Sequence, residues 1–199
     1  ETSDPIVSGS RGKSSVVFAT GKGKLYAVDM TSNDVTVLGS QTKSSSTTDI
    51  VVYAGRLYRL DGPSGQLWRS QGSMGSGEGA YIKASNANLN GAVSLAIDSN
   101  VYILTPDGNV ARFLSGGQDG FTLNAIDPPL RAATGIWTNV DAQRIVVTDP
   151  ADKRVVVYNK DGTLKAQLIS PQFTAPRDID GDEVNHRLIV IDGTRLLLM

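Results

Sequence analysis

QRIVVTDPADKRVVVY, residues Gln143–Tyr158, places two runs of β-branched residues on either side of a polar turn. Val, Ile, Thr and Tyr suit a pleated backbone, while Asp149, Pro150 and Asp152 supply a fixed φ and side-chain to backbone bonds, so a β-hairpin is expected here. The same block recurs on both sides: SVVFATGKGKLYAVD from Ser15, GRLYRLDGPSGQLWR from Gly55, SNVYILTPDGNVARF from Ser99 and HRLIVIDGTRLLLM from His186. The first apolar residue of each block serves as a marker. These markers are Val16, Leu57, Val101, Ile145 and Leu188, spaced 41, 44, 44 and 43 residues apart. Units of roughly 40–50 residues made only of short strands point to a β-propeller.

Glycine, proline, asparagine and aspartate turns divide each unit into four short strands. Inner strands are expected at PIVSG from Pro5, DIVVY from Asp49, AVSLAI from Ala92, GIWTNV from Gly135 and RDID from Arg177. The marker segments are the second strands. Third strands follow at LYAVDM from Leu25, LWRS from Leu67, VARFLS from Val110, VVVYN from Val155 and LLLM from Leu196. Fourth strands are expected at VTVLGS from Val35, AYIKAS from Ala80, FTLNAI from Phe121 and LKAQLI from Leu164, with none in the last unit. The expected fold is therefore all-β: one propeller domain over 1–199, of about five four-stranded blades, with repeats near 5–40, 48–85, 92–126, 134–169 and 176–199. Four full blades and a thin fifth fit either a five-bladed ring or a fragment of a larger propeller.

Composition narrows the function classes. The 19 basic and 20 acidic residues nearly cancel and form no basic block, which argues against nucleic acid as a partner. No apolar run approaches the ~18 residues of a membrane helix, so no membrane insertion is expected within the chain. Zero cysteines exclude disulfides and thiolate metal sites. Opening at Glu1 without a methionine, the chain reads as a trimmed domain or mature fragment of a larger multidomain protein. The Ser/Thr/Gly turns without cysteine suit an extracytoplasmic or cell-surface bacterial domain, and cytoplasmic residence is nearly as compatible.

From Gly135 to Ile169 the sequence GIWTNVDAQRIVVTDPADKRVVVYNKDGTLKAQLI resembles an NHL-type propeller repeat. A short strand ends in Asp, a basic residue leads the third strand, and an Asp–Gly turn leads the fourth. Ala92–Phe113 fits more loosely, and Arg177–Met199 keeps the Asp192 turn. LYAVDMTSNDVTVL from Leu25 and LYRLDGPSGQLW from Leu57 resemble quinoprotein-type repeats. The resemblance implies the propeller fold and a tendency toward ligand or protein binding, and fold alone does not carry function. The sequence departs from the NHL pattern at TDIVVYAG from Thr48, which lacks the Asp, and in its shortened first repeat.

Catalytic patterns are thin. The one histidine, His186, lies in the polar turn GDEVNHR from Gly181 and reads as a surface residue, not a triad member. RGKSS from Arg11 has Val7 where a phosphate loop needs its first glycine, and GSMGSGEGA from Gly72 has Ala80 where a dinucleotide loop needs its last. Asp178, Asp180 and Asp182 alternate as the first ligands of a calcium loop do, yet Glu183 replaces the following glycine and Val190 falls near the place of the closing glutamate. A solvated acidic turn is the reading, with calcium as the alternative cofactor. The alternative function is a metal-dependent propeller hydrolase or lactonase with channel ligands drawn from Asp49, Asp98, Asn139, Asp141 and Asp180. Their unequal offsets from the markers argue against one metal plane.

One positive feature remains. Turns between second and third strands, and connections leading into each next blade, should emerge on the same face of the ring. Seven of the eight prolines fall there: Pro63, Pro106, Pro128, Pro129, Pro150, Pro171 and Pro176. Proline stiffens a loop before it binds. The expected function is non-catalytic recognition or scaffolding, with a protein or a cell-surface polymer held on this loop face by Leu130, Arg131, Lys153, Phe173 and Arg177, because apolar and arginine contacts dominate interfaces. Trp68 and Trp137 are expected to pack between blades.

Overall fold

The computed structural model describes residues 3–40, 46–83, 85–183 and 185–199. Two compact units are present: Glu1–Ala92 with Ser115–Gly117, and Val93–Leu114 with Gln118–Met199. Five antiparallel sheets follow one another along the chain, none of the described residues is helical, and the fold is an all-β, five-bladed propeller. No described segment is a helix long and apolar enough to cross a membrane.

The first blade is β1 (Ile6–Arg11), β2 (Ser15–Thr20), β3 (Lys24–Asp29) and β4 (Val35–Ser40), paired in that order. The second is β5 (Asp49–Tyr53), β6 (Arg56–Asp61), β7 (Gln66–Ser70) and β8 (Glu78–Ala80). The third is β9 (Ser94–Ile97), β10 (Val101–Leu104), β11 (Val110–Leu114) and β12 (Gly117–Gln118). The fourth is β13 (Gly135–Trp137), β14 (Arg144–Asp149), β15 (Arg154–Asn159) and β16 (Leu164–Ile169), and the fifth is the three strands β17 (Pro176–Asp182), β18 (Arg187–Asp192) and β19 (Arg195–Leu198). Each marker residue lies in a second strand, as the repeat spacing predicts.

Burial follows the position of a sheet in its unit. In β14 and β15 nearly every residue is buried, which explains the unbroken β-branched runs IVVT and VVVY: both sheet faces are covered. In β18 exposed and buried residues largely alternate, so one face is covered and the other open. The covered side of the fifth blade contributes Phe173, Ile179 and Val190 to a core with Trp137, Val146 and Val155 of the fourth. Between the third and fourth blades Tyr102, Leu104, Ile136, Val147 and Tyr158 form a second core. In the first unit Val17, Ala19 and Leu25 pack on Ile50 and Leu57.

Two fourth strands differ from expectation. The second blade pairs at Glu78–Ala80 rather than from Ala80 onward, and Ala84 of the expected AYIKAS lies outside the described residues. Tyr81 donates its N–H to the Leu67 carbonyl at 2.8 Å and closes the strand as a buried plug, edge-on to Tyr58 at 5.5 Å. In the third blade, Ser115 and Gly116 adopt positive φ and turn the chain early, so Gly117–Gln118 forms the outer strand instead of FTLNAI. Phe121 drops into the core edge-on to Tyr102 at 5.7 Å. Their apolar residues keep strand-like intervals because Tyr81 and Phe121 line the cores.

Two glycines set the packing. Gly108, at φ 84, ends the Pro106–Asp107 turn, and a Cβ there would fall within 2.8 Å of Leu130 Cδ1. A Cβ on Gly181 would overlap the buried indole of Trp137, so the inner strands β13 and β17 approach because Gly181 lacks one.

Candidate functional site

The five loop-face candidates all belong to the second unit, at the end of the sheets where second strands turn into third. The structure divides them. Leu130 and Phe173 are buried members of the two cores, because an apolar residue following these loops plugs the end of the space between neighbouring sheets. Arg131, Lys153 and Arg177 are exposed. Arg131 Nη2 donates to Asp152 Oδ1 at 2.9 Å, which ties the loop before β13 to the turn between β14 and β15.

Beneath these cations lies a network absent from the sequence reading. Arg154, the first residue of β15, is buried. Its Nε donates to Asp149 Oδ2 at 3.0 Å, Nη1 to Gln167 Oε1 at 2.6 Å, and Nη2 to the carbonyls of Pro128 and Pro129 at 2.7 and 3.3 Å. One guanidinium therefore fixes the incoming loop, the hairpin turn and the outer strand β16. The resemblance to an NHL-type repeat marked a basic residue at this place but not its burial.

Asp149 is one of five equivalent residues. Thr20, Asp61, Thr105, Asp149 and Asp192 each close a second strand or directly follow it, four residues after the marker, and all are buried. Each holds its own turn or the loop that enters its blade. Asp192 accepts the N–H of Thr174 at 2.9 Å and of Ala175 at 2.5 Å, the Thr174 hydroxyl at 2.9 Å, and Arg195 Nη2. Burial alone would raise its carboxyl, but the Ala175 N–H, Arg195 and Thr174 together draw it down to about 2. A depressed carboxyl contributes stability above its ordinary value of 3.8, and that contribution is lost as pH falls toward 2. Asp192→Asn should accordingly flatten the acid limb of a melting-temperature profile over this interval. An acid limb of unchanged steepness would contradict the clamp.

The acidic candidates sit separately. On β17, Asp178 and Asp180 are exposed and Asp182 is half-buried, each turned to local donors: Asp178 to the Ile179 N–H at 2.8 Å, Asp180 to the Gly181 N–H at 2.8 Å, and Asp182 to Asn185. Nearby protein raises the Asp178 carboxyl, Ile179 partly offsets this, and the Asp180 charge adds to it. Asn139 caps the N–H groups of Asp141 and Ala142, and Asp141 is exposed. Asp49 accepts the Ser8 hydroxyl at 2.6 Å. Among the described residues no three His, Asp or Glu side chains are grouped to hold a metal. His186 is exposed, with φ 52, in the turn before β18.

At the opposite end of the third and fourth blades lies a cleft of about 480 Å³ bordered by Asp98, Asn100, Tyr102, Arg112, Gln143 and Lys160. Lys160 Nζ donates to Asp98 Oδ2 and Thr138 Oγ1, both at 2.5 Å, and to the Asn139 carbonyl at 3.1 Å. Three acceptors match the three protons of the ammonium, so Lys160 staples the two blades together. Burial works against the Asp98 carboxylate, yet Lys160 and the N–H groups of Asn100 and Ser99 hold its pKa below the ordinary value. Burial and the neighbouring Asp98 raise the Tyr102 phenol, which donates to Asp98 at 3.1 Å. Arg112 lies over Phe121 at 4.6 Å with Nε on Asp119 at 2.8 Å. Lys160 and Arg112 are already partnered, so the cleft offers hydrogen bonding to a small polar ligand.

No protein-family model and no curated protein matches the chain. Among solved structures it is similar to the WD40 β-propeller domain of Doa1, with a TM-score of 0.71 and 15% identity, over 97% of this chain and 62% of that one. It is similar as well to a chain of a nidogen/laminin complex, with a TM-score of 0.75 and 12% identity, over 98% of this chain and 76% of that one. The chain thus spans less than two thirds of the Doa1 chain. At these identities the likeness shows the fold.

Proposed function

We propose that the chain is a non-catalytic recognition module, a propeller of NHL-like repeats acting as one domain within a larger protein, which holds a protein partner at the turn end of its third to fifth blades. The observation that carries this reading is the Arg154 network, which immobilises the loops presenting Arg131 and Lys153 before any partner arrives. Pre-organised loops spare a complex the entropy of ordering them. Exposed arginine on a stiff support is a common source of binding energy. A complex of nidogen with laminin among the similar structures is in keeping with such a role.

The test compares two variants for retention of a partner from an extract of the source cells. Arg131→Ala/Lys153→Ala/Arg177→Ala is expected to retain about tenfold less than the wild type, while Asn100→Ala/Gln143→Ala in the opposite cleft retains as much. Full retention by the triple variant, or loss confined to the cleft variant, would overturn the reading.

A further inference from the structure

Each charged side chain that lines the cleft between the third and fourth blades is already neutralised within the second unit. Asp98, in the turn between β9 and β10, accepts the N–H groups of Ser99 and Asn100 on Oδ1 at 2.5 and 2.7 Å, and Lys160 and the Tyr102 phenol on Oδ2. Lys160, in the turn between β15 and β16, directs its three protons to Asp98, Thr138 and Asn139. Arg112 of β11 stands opposite Tyr102 of β10, and Asp119 pairs with its Nε. Two closed ion pairs therefore cross the cleft, and they leave it without net charge.

The groups that stay open supply donors and acceptors together. The Gln143 amide and the Ser99 hydroxyl have no partner among the described residues, so each offers both functions. Asn100 turns its Nδ2 toward Asp98 at 3.4 Å, which leaves the amide oxygen as an acceptor. Of the five N–H groups of Arg112, Asp119 takes one and the Tyr102 phenol lies within reach of another, and the rest are donors. Val140, 60% exposed, and Ala142 add an apolar wall. No aromatic face is on offer: Tyr102 is buried, and Arg112 covers Phe121.

We propose that this cleft is a binding site for an uncharged polyhydroxylated ligand, a saccharide unit that sets a hydroxyl edge against Gln143, Asn100 and Arg112 and its C–H face against Val140. A sugar hydroxyl donates and accepts at once, so a pair of them satisfies both halves of an amide. A phosphate or carboxylate accepts only. It would leave the amide oxygens of Gln143 and Asn100 unpaired and would find no unneutralised cation to offset the loss of its own hydration. A flat aromatic ligand would lack a platform on which to stack. The volume of about 480 Å³ falls within the range of about 300–1,000 Å³ occupied by small-molecule sites. The walls are also fixed in advance, because Lys160 joins the two blades and Asn139 caps the N–H groups of Asp141 and Ala142. This site lies at the other end of the blades from Arg131 and Lys153 and does not rest on the function proposed for those loops.

Two-dimensional amide NMR of the isotope-labelled chain tests this, with maltose, cellobiose, lactose and diacetylchitobiose as probes and with inorganic phosphate and acetate as charged comparisons. At least one of these sugars should shift the side-chain amide signals of Asn100 and Gln143 saturably, while phosphate and acetate leave them in place. Asn100→Ala/Gln143→Ala should weaken binding of that sugar about tenfold, the loss of one or two hydrogen bonds. Gln143→Ala alone changes an exposed side chain and should weaken it about threefold. Arg131→Ala/Lys153→Ala/Arg177→Ala should bind the sugar as the wild type does, so failure at one end of the blades is read separately from failure at the other. The backbone signals of each variant report whether the fold is intact. No saturable response to any of these sugars, a saturable response of the cleft signals to phosphate or acetate, or unchanged sugar affinity in the folded cleft variants would each overturn the proposal.

Discussion

Arg154→Leu is expected to lower the melting temperature by roughly 6–20 °C, from a loss of about 3–5 kcal/mol at about 2–4 °C per kcal/mol for a chain of this size. The guanidinium is buried and donates to Asp149, Gln167 and the carbonyls of Pro128 and Pro129, with Asp152 nearby. Leucine fills much of the volume and satisfies none of these acceptors. Asp149 would then keep a buried charge without its partner, and its Oδ1 already lacks a hydrogen bond. No one compensating substitution restores the site, because the acceptors come from a turn, a loop and an outer strand. Arg131→Leu is the control: its ion pair with Asp152 is exposed on the arginine side, and pairs of that kind contribute about 0–1 kcal/mol. Thermal unfolding followed by circular dichroism reads both. An Arg154→Leu melt within about 2 °C of the wild type would refute the network's structural role.

The second large effect lies in the second blade, and there the loss can be largely reversed. Arg59 and Glu78 are both buried and form a two-pronged pair, Nε to Oε1 at 2.8 Å and Nη2 to Oε2 at 2.7 Å. Arg59→Leu alone strands the Glu78 carboxylate and is expected to cost about 3–5 kcal/mol. Arg59→Leu/Glu78→Leu removes both charges, and replacement of a buried pair by apolar side chains is often neutral within about 1–2 kcal/mol. Recovery should be incomplete, because Arg59 Nη1 also donates to the Ser46 carbonyl at 2.6 Å. Urea titrations of the wild type, the single and the double variant measure the difference. A double variant as unstable as the single one would show that the carbonyl and the packing, not the stranded charge, dominate.

Much of the fold is legible because it is local. The five second strands, and the turns DGPSGQ, PDGN and DPADKR, announce themselves through β-branched runs and φ-setting residues a few positions apart. The outer strands of the second and third blades begin earlier than the sequence pattern predicts, because Tyr81 and Phe121 keep strand-like spacing while serving as core plugs. Periodicity does not distinguish a side chain that is buried by pairing from one buried by packing alone. The burial of Leu130 and Phe173 is hidden in the sequence for a related reason. Loops are ordinarily exposed, yet the missing Cβ of Gly108 opens a place that Leu130 fills. The Lys160–Asp98 staple joins residues 62 apart and needs two blades side by side before it exists. Arg154 was visible as a motif position, and its burial was not, since nothing in the sequence brings the carbonyls of Pro128 and Pro129 to it.

The brevity of β8 and β12 bears on how the protein behaves at high concentration. An outermost strand normally offers a row of unpaired N–H and C=O groups on which another extended chain can grow. With three residues in β8 and two in β12, those rows are too short to template a ladder, and the chain beyond each turns its apolar side chains inward. These two sheets are guarded against cross-β growth by shortness rather than by charge.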